Sequence, residues 1–319
     1  MLLILLALAT LFVAYATGAN ANFKGVASLL GSGTTSYRTA INWGSATTLA
    51  GSVAAMFLVN GMIQNFSGKG LVPDALTANP LFLLAVALGA GLTVTLAVLL
   101  GFPVSTTHGL AGALVGVGLA NDPHTVNFAK LWEAFLRPLL LSPLLAILAG
   151  IVCYFILRCL RLAPDHRTKT LDALHFLSAG AASFARGLND TPKMAALLAA
   201  TSLLNGRPGM LAIGVVMFFG GVLSARKVAH TLAHKVTDMN PGQGFSANLA
   251  TALLVTTASF NALPVSTTHV AVGSLLGIGV ATRQAKWRTV IPILLSWVIT
   301  LPCAALLGAL VFKLSQLIA

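Results

Sequence analysis

Two stretches decide how this chain folds: PVSTTHGLAGALVGVGLA at Pro103–Ala120 and PVSTTHVAVGSLLGIGVA at Pro264–Ala281. They agree at 11 of 18 positions without a gap, which marks the chain as an internal duplication. Each copy opens on a proline, continues through three hydroxyl residues and a histidine, and then becomes apolar and rich in glycine. Proline suits a helix entry, and the hydroxyls behind it can cap the new helix or donate to a bound oxyanion. The apolar part falls short of the roughly 20 residues that cross hydrocarbon. It either spans or re-enters.

A second related pair lies upstream. Residues 13–29 read VAYATGANANFKGVASL and residues 182–198 read ASFARGLNDTPKMAALL. Gly18 aligns with Gly187, Asn20 with Asn189, Lys24 with Lys193 and Ala27 with Ala196. The offset is 169 residues here and 161 at the hexapeptides, so the first half holds eight extra residues between its motifs. The polar loop Gln64–Asn79 is the expected place for them. Both segments read as an apolar helix, a G-x-N break and a short amphiphilic stretch carrying a lysine.

The rest of the composition sets the compartment. Only 8% of the 319 residues are charged and 57% are hydrophobic, against about 25% charged in soluble domains. Long apolar runs fall near 42–64, 79–101, 133–157, 209–230, 244–262 and 287–315. The net charge of +12 does not mean nucleic acid, because the basic residues are scattered through short loops without a stripe or interleaved aromatics. Cys153, Cys159 and Cys303 lie in or beside apolar segments without CxxC spacing and read as packing residues, with neither disulfide nor metal expected. The apolar N-terminus lacks a basic n-region and has a counterpart in the second half, so it reads as a membrane segment rather than a signal peptide.

Each half therefore holds five crossings: a broken helix with G-x-N, two long helices, the PVSTTH helix and a last long helix. An odd number inverts the second half relative to the first. The expected fold is an all-α membrane protein, an inverted-topology repeat with about ten (ten to twelve) transmembrane helices, broken or re-entrant ones included. Residues 1–157 form the first repeat, 158–170 a basic cytoplasmic linker and 171–319 the second repeat. With both termini outside, the cytoplasm receives Arg38, Arg158, Arg161, Arg167, Lys169, Arg226, Lys227, Lys235, Arg283, Lys286 and Arg288. The outside receives Lys69, Lys130, Arg137, Arg207 and Lys313, a division that follows the positive-inside rule. A multi-pass protein of a bacterial-type plasma (inner) membrane, in contact with lipid, is expected.

Freed backbone groups are costly in hydrocarbon, so helix breaks belong where they are buried or line a wet cavity. Helix N-termini there suit anions. Ser105, Thr106 and Thr107, with Ser266, Thr267 and Thr268, are candidate substrate ligands; capping alone is the competing account for the serines and Thr106. His108 and His269 follow on roughly the same helical face, either as anion or gating contacts or as packed interior histidines. Asp190 is the one carboxylate of seven placed inside a predicted helix break. An intramembrane carboxylate points to function, as a coupling-cation ligand, a proton carrier or an acceptor from a protonated oxyanion. It also fits an N-cap for a helix over 191–204. Lys24, Arg186 and Lys193 supply positive charge for an anion, with snorkelling to the interface as the alternative for the lysines. Gln243, Ser246, Asn248 and Asn261 are weaker candidates.

These motifs resemble the inorganic phosphate transporter (PiT) family. Its signature, G-A-N-D-x-x-N, occurs near the start of each half, and P-x-S-T-T-H follows later in each. FARGLND at Phe184–Asp190 matches the second signature, and YATGANAN at Tyr15–Asn22 matches the first imperfectly. The resemblance covers essentially the whole chain. It implies a secondary transporter of inorganic phosphate, coupled to sodium or protons, with no other cofactor or metal and no enzyme activity. Carried over by position, Asn20, Ser105, Thr106, Thr107, Asn189, Asp190, Ser266, Thr267 and Thr268 line the substrate site, and Asp190, Asn20 and Asn189 serve the coupling cation or proton. It also implies a homodimer. The chain departs from the pattern at Ala21, where the first signature has its aspartate, and at Thr191-Pro192-Lys193. Fewer carboxylates suit proton coupling or fewer sodium ions, and ease sulfate binding; sulfate-permease-like members of the family make sulfate transport the alternative. An intramembrane hydrolase with Ser105 or Ser266 as nucleophile is the distant one, since two equivalent sites sharing one aspartate do not resemble a triad.

Overall fold

Caps and breakers, more than propensity, divide the apolar sequence into helices. The structure, a computed structural model, describes residues 1–59, 63, 66–68, 70–160, 168–198, 204, 206–263 and 265–318. Gln64, Lys69, Pro264 and the linker residues 161–167, with Arg161 and Arg167, lie outside the described residues. In the first half the elements are α1 (Leu2–Ala21), α2 (Ala27–Gly31), α3 (Tyr37–Leu58), α4 (Asp74–Thr77), α5 (Pro80–Leu100), α6 (Thr106–Asn121) and α7 (Phe128–Cys159). The second half gives α8 (Lys169–Ala195), α9 (Arg207–Ser224), α10 (Arg226–His234), α11 (Pro241–Phe260), α12 (Thr267–Ala281) and α13 (Trp287–Ile318).

Side-chain oxygens of Ser36, Asn79, Thr168 and Asn240 accept backbone N–H groups at the starts of α3, α5, α8 and α11. Gly101, with φ +77°, ends α5 in the left-handed conformation and turns the chain into the first hexapeptide. Ser105 and Ser266 cap α6 and α12 by accepting from His108 N (3.3 Å) and His269 N (3.1 Å). Ahead of Pro138, the turn Trp132–Leu136 of α7 is π-helical, as expected where a missing N–H disturbs the ladder.

Among the described residues five helices are long and apolar enough to cross a membrane: α1, α5, α7, α9 and α13. The helices α3, α8 and α11 have comparable length but carry buried polar faces, such as Ser45, Thr48 and Ser52 on α3. The chain is an integral membrane protein. The outward faces of α7 and α13 are rows of leucine, isoleucine and valine.

The pairing of helices repeats with the halves exchanged. α1 packs on α5 of its own half and α9 of the other; α8 packs on α11 of its own half and α3 of the other. α6 packs on α13, and α12 on α7. The repeats are thus units of sequence, not of packing. Close backbone approach makes this possible. A Cβ on Gly18 would overlap the Met217 carbonyl, and one on the equivalent Gly187 would overlap that of Thr48, the residue equivalent to Met217. Gly51 and Gly220 do the same against Phe184 and Tyr15. Among the described residues two large apolar clusters form most of the core, one holding Val13, Ala55, Leu110, Leu188 and Met217, the other Phe23, Ile41, Ala179, Ala225 and Val272. Between them, along α1, α3 and α8, lies a belt of buried polar side chains.

Three expectations change. α8 is continuous from Lys169 to Ala195 and then tightens to a 3-10 turn at Ala196–Leu198, so the second G-x-N stretch is not a helix break. Asp190 is consequently not an N-cap; the side chains that would cap there are engaged across the bundle, and Pro192 is accommodated near the helix end. The first G-x-N does end its helix, at Ala21. The run 209–230 is divided at Ala225 between α9 and α10, and the run 42–64 loses its helix at Leu58. The extra residues of the first half fall between α3 and α5, since α3 and α9 keep the longer offset while α5 and α11 have the shorter one.

Candidate anion site between the repeats

The polar belt gathers at one point, where the end of α1, the last turns of α8 and the starts of α6 and α12 meet. Lys24 lies in the turn after α1, and its Nζ donates to Asn20 Oδ1 (2.8 Å), the Val104 carbonyl (2.8 Å) and Thr268 Oγ1 (2.6 Å). Lys193, in the last turn of α8, donates to Asp190 Oδ1 (3.1 Å), the Val265 carbonyl (2.8 Å) and Thr107 Oγ1 (2.9 Å). Val104 and Val265 are equivalent residues, as are Thr107 and Thr268. Each ammonium is therefore held by a carbonyl of its own half and a hydroxyl of the other. The hydroxyls in turn donate across the interface, Thr268 to the Val104 carbonyl (2.8 Å) and Thr107 to that of Val265 (3.3 Å). Neither lysine snorkels: both are buried, with every close partner of Nζ inside the protein.

Around this pair the halves differ. Asp190 Oδ2 accepts from Thr267 Oγ1 (3.0 Å) and lies 4.0 Å from Arg186 Nη1. In the first half, Ala21 leaves the equivalent Thr106 to pair with Thr17 Oγ1 at 3.3 Å. Arg186, which replaces Thr17 in the repeat, donates through Nη2 to Asn22 Oδ1 (3.3 Å) and Thr48 Oγ1 (3.2 Å). Its Nε and Nη1 are buried with no hydrogen-bond partner among the described residues. Lys24, Arg186 and Lys193 are 2%, 2% and 1% exposed, and the single carboxylate among them, Asp190, is 3% exposed. Three buried cations face one anion. Unpaired buried charge costs several kcal/mol per ion, so an excess of basic over acidic side chains among the described residues here is unusual.

Of the residues picked out in the sequence, Asn20, Lys24, Thr107, Arg186, Asp190, Lys193, Thr267 and Thr268 meet here, with Thr106 beside them. Ser105 and Ser266 act as caps, their Oγ atoms held at a backbone N–H rather than at an imidazole. Asn189 turns its amide to Ser259 Oγ (2.9 Å) on α11. His108 and His269 pack on each other instead, ring centroids 4.7 Å apart, with His269 stacked on Trp297 at 3.9 Å and its Nδ1–H donating to the Leu139 carbonyl (3.0 Å). Neither ring bonds to the lysines, Arg186 or Asp190. Of the weaker candidates, Gln243 completes a capping box with Asn240, Ser246 donates to the Gly242 carbonyl, Asn248 bonds Ser28 and Asn261 bonds the Thr257 carbonyl.

Sequence reading missed Asn22, Thr48, Ser52 and Thr191. Thr191 Oγ1 donates to Ser52 Oγ at 2.7 Å, and Asn22 Nδ2 to Ser45 Oγ at 3.1 Å. The available signal was the spacing of Ser45, Thr48 and Ser52, three and four apart on one face of an otherwise apolar helix.

A bundle of lipid-facing helices enclosing a cationic, hydroxyl-lined site defines a membrane transport protein. Comparison with known sequences agrees and narrows the class. The phosphate transporter family matches residues 17–171 and 163–308, and the chain belongs to that family. A probable low-affinity inorganic phosphate transporter of Rhizobium meliloti (strain 1021) is 29% identical over 281 residues, covering 82% of this chain and 83% of its own. Its namesake in Bacillus subtilis (strain 168) is 30% identical over 233 residues, covering 68% and 69%. A solved structure described as "The sodium-dependent phosphate transporter" shares the fold across the full length of both chains, with a TM-score of 0.84 at 20% identity. These relatives are transporters and permeases, not enzymes, and no hydrolase reading is retained.

Proposed function

We propose that this chain carries inorganic phosphate across the membrane by alternating access, with the substrate held between the two lysines at the repeat interface. The observation that carries the reading is the excess of buried positive charge: Lys24, Arg186 and Lys193 against Asp190 alone. A divalent oxyanion balances it. Monohydrogen phosphate also brings a proton, and Asp190 is an acceptor for it; sulfate has none to offer, and a facing carboxylate only repels it. Thr107, Thr268, Thr267 and Asn20 are the neutral ligands, and Ser105 and Ser266 set the helix N-termini behind them.

Coupling is to a cation, sodium or a proton, at Asp190 with Asn20 and Asn189. Ala21 leaves the first half without its carboxylate, which limits the number of cations the site can hold. The exchanged helix pairs support an inverted arrangement of five crossings per half. Arg38, Arg158, Lys169, Arg226 and Arg288 at helix ends support the orientation with both termini outside and this face in the cytoplasm. The two halves rock about the lysine pair, each breaking its contacts with the other's threonine.

Uptake of radiolabelled phosphate into proteoliposomes, with sulfate as competitor, is the test. Saturable phosphate uptake that sulfate barely inhibits supports the reading. Sulfate uptake against which phosphate fails to compete overturns it.

A further inference from the structure

A second cationic site lies away from the lysine pair, at the end of the molecule where α3 begins and α9 gives way to α10. A cavity of about 550 Å³ opens there, and Arg38, Arg226, Tyr37, Ser36 and Asn42 contribute its polar lining. Among the described residues no carboxylate forms an ion pair with either arginine. Two guanidinium groups lining one cavity, with no ion-paired carboxylate among the described residues, suit a phosphate-type oxyanion.

What gives the cavity a role is the path behind it. Along α3, Arg38 and Asn42 are followed on the same face by Ser45, Thr48 and Ser52, buried side chains on an otherwise apolar helix. Ser45 accepts from Asn22, Asn22 and Thr48 accept from Arg186, and Ser52 accepts from Thr191. This stripe joins the cavity to Arg186, about 15 Å away at 1.5 Å rise per residue from Arg38 to Thr48. The helix opposite offers glycine where it meets the stripe. A Cβ on Gly221 would lie 2.7 Å from Ser45 Oγ, and one on Gly214 would lie 2.7 Å from Ser52 Cβ. The seam between α3 and α9 is thus polar on one side, smooth on the other, and closed as it stands. α3 and α9 are also a repeat-related pair from opposite halves, so the proposed rocking of the halves acts across this seam.

We propose that the Arg38–Arg226 cavity is an oxyanion vestibule, and that the α3–α9 seam is the route by which phosphate passes between it and the central site. The proposal rests on the phosphate-carrier reading and extends it to one face of the molecule, the face assigned above to the cytoplasm. Both arginines are exposed, so their replacement leaves the core intact.

The test uses the full chain in proteoliposomes of known orientation, with initial rates measured for phosphate presented from each face. Arg38→Gln with Arg226→Gln is expected to raise KM for phosphate on the arginine face about tenfold, the size of one lost charge-assisted contact. KM on the opposite face stays within about twofold of the parent, and Arg→Lys at both positions recovers part of the loss. The measurement is made in pure phosphatidylcholine and again with phosphatidylglycerol added. A KM effect confined to vesicles containing phosphatidylglycerol means a lipid headgroup fills the cavity and overturns the vestibule. So does an equal change on both faces, or none. A parent protein that carries no phosphate at all refutes the central reading instead, which separates the two failures.

Discussion

Lys24 and Lys193 occupy nearly the same surroundings, yet their halves have diverged on either side of them. Each ammonium bonds one valine carbonyl and one threonine of the opposite repeat at 2.6–2.9 Å. The third partner differs: a neutral amide, Asn20, for Lys24 and a carboxylate, Asp190, for Lys193. One step further out, Thr17 stands where the second half has Arg186. The second half thus holds an ion pair around its lysine, while the first, with Ala21 in place of a carboxylate, holds neutral hydrogen bonds. Geometry held the two lysines in register, and charge was free to change once that frame existed. A buried pair such as Lys193–Asp190 contributes little net stability, so stability alone does not account for its placement at the centre.

The largest effect should come from removing the asymmetric carboxylate. Asp190→Asn is expected to lower phosphate uptake by about a hundredfold or more while the purified protein keeps its helical circular dichroism. Undiminished transport would show that the two lysine environments are equivalent after all. Next, Lys24→Met and Lys193→Met should each weaken phosphate binding roughly tenfold, measured as KM. Lys193→Met should also lower the yield of folded protein, because it strands Asp190 without its closest cation. Ala21→Asp puts a carboxylate at the matching place in the first half. It is expected to raise the dependence of uptake on sodium severalfold, read from rates in sodium against choline buffer. The smallest contrast is between the threonines. Thr267→Ala loses a hydrogen bond to a charged group and should cost several-fold in uptake, whereas Thr106→Ala, which loses only a hydroxyl contact to Thr17, should cost about twofold.

Much of this was legible in the sequence because duplication exposes what composition hides. PVSTTH, repeated at Pro103 and Pro264, marks both helix starts, and the offset between Asn20 and Asn189 pairs the two lysines. The membrane spans followed from apolar runs, with their ends displaced where Ala225 splits one helix and Leu58 ends another. The reading of Asp190 as a break residue failed for a local reason. Asp-Thr-Pro-Lys is a good helix start in isolation, but Thr191 bonds Ser52, Asp190 bonds Lys193 and Thr267, and α8 continues through them. For the histidines the sequence left two readings open, anion or gating contacts or packed interior rings, and the structure packs them against each other and Trp297. Thr48 and Ser52 were overlooked because a hydroxyl on a glycine- and alanine-rich helix resembles ordinary packing until its partner is known, and the partners lie in the other repeat.

The exchange of α3 for α9 and of α7 for α13 between the halves bears on how the molecule is made. Within the first repeat, α1 lacks the surface of α9, which begins only at Arg207, and α6 lacks α13, which begins only at Trp287. Segments leaving the ribosome early must therefore wait in the bilayer, their glycine faces against lipid, until the last helix emerges. Neither repeat is then a folding unit. A chain cut between residues 160 and 168 should yield two fragments that are degraded when expressed singly and recovered together when co-expressed.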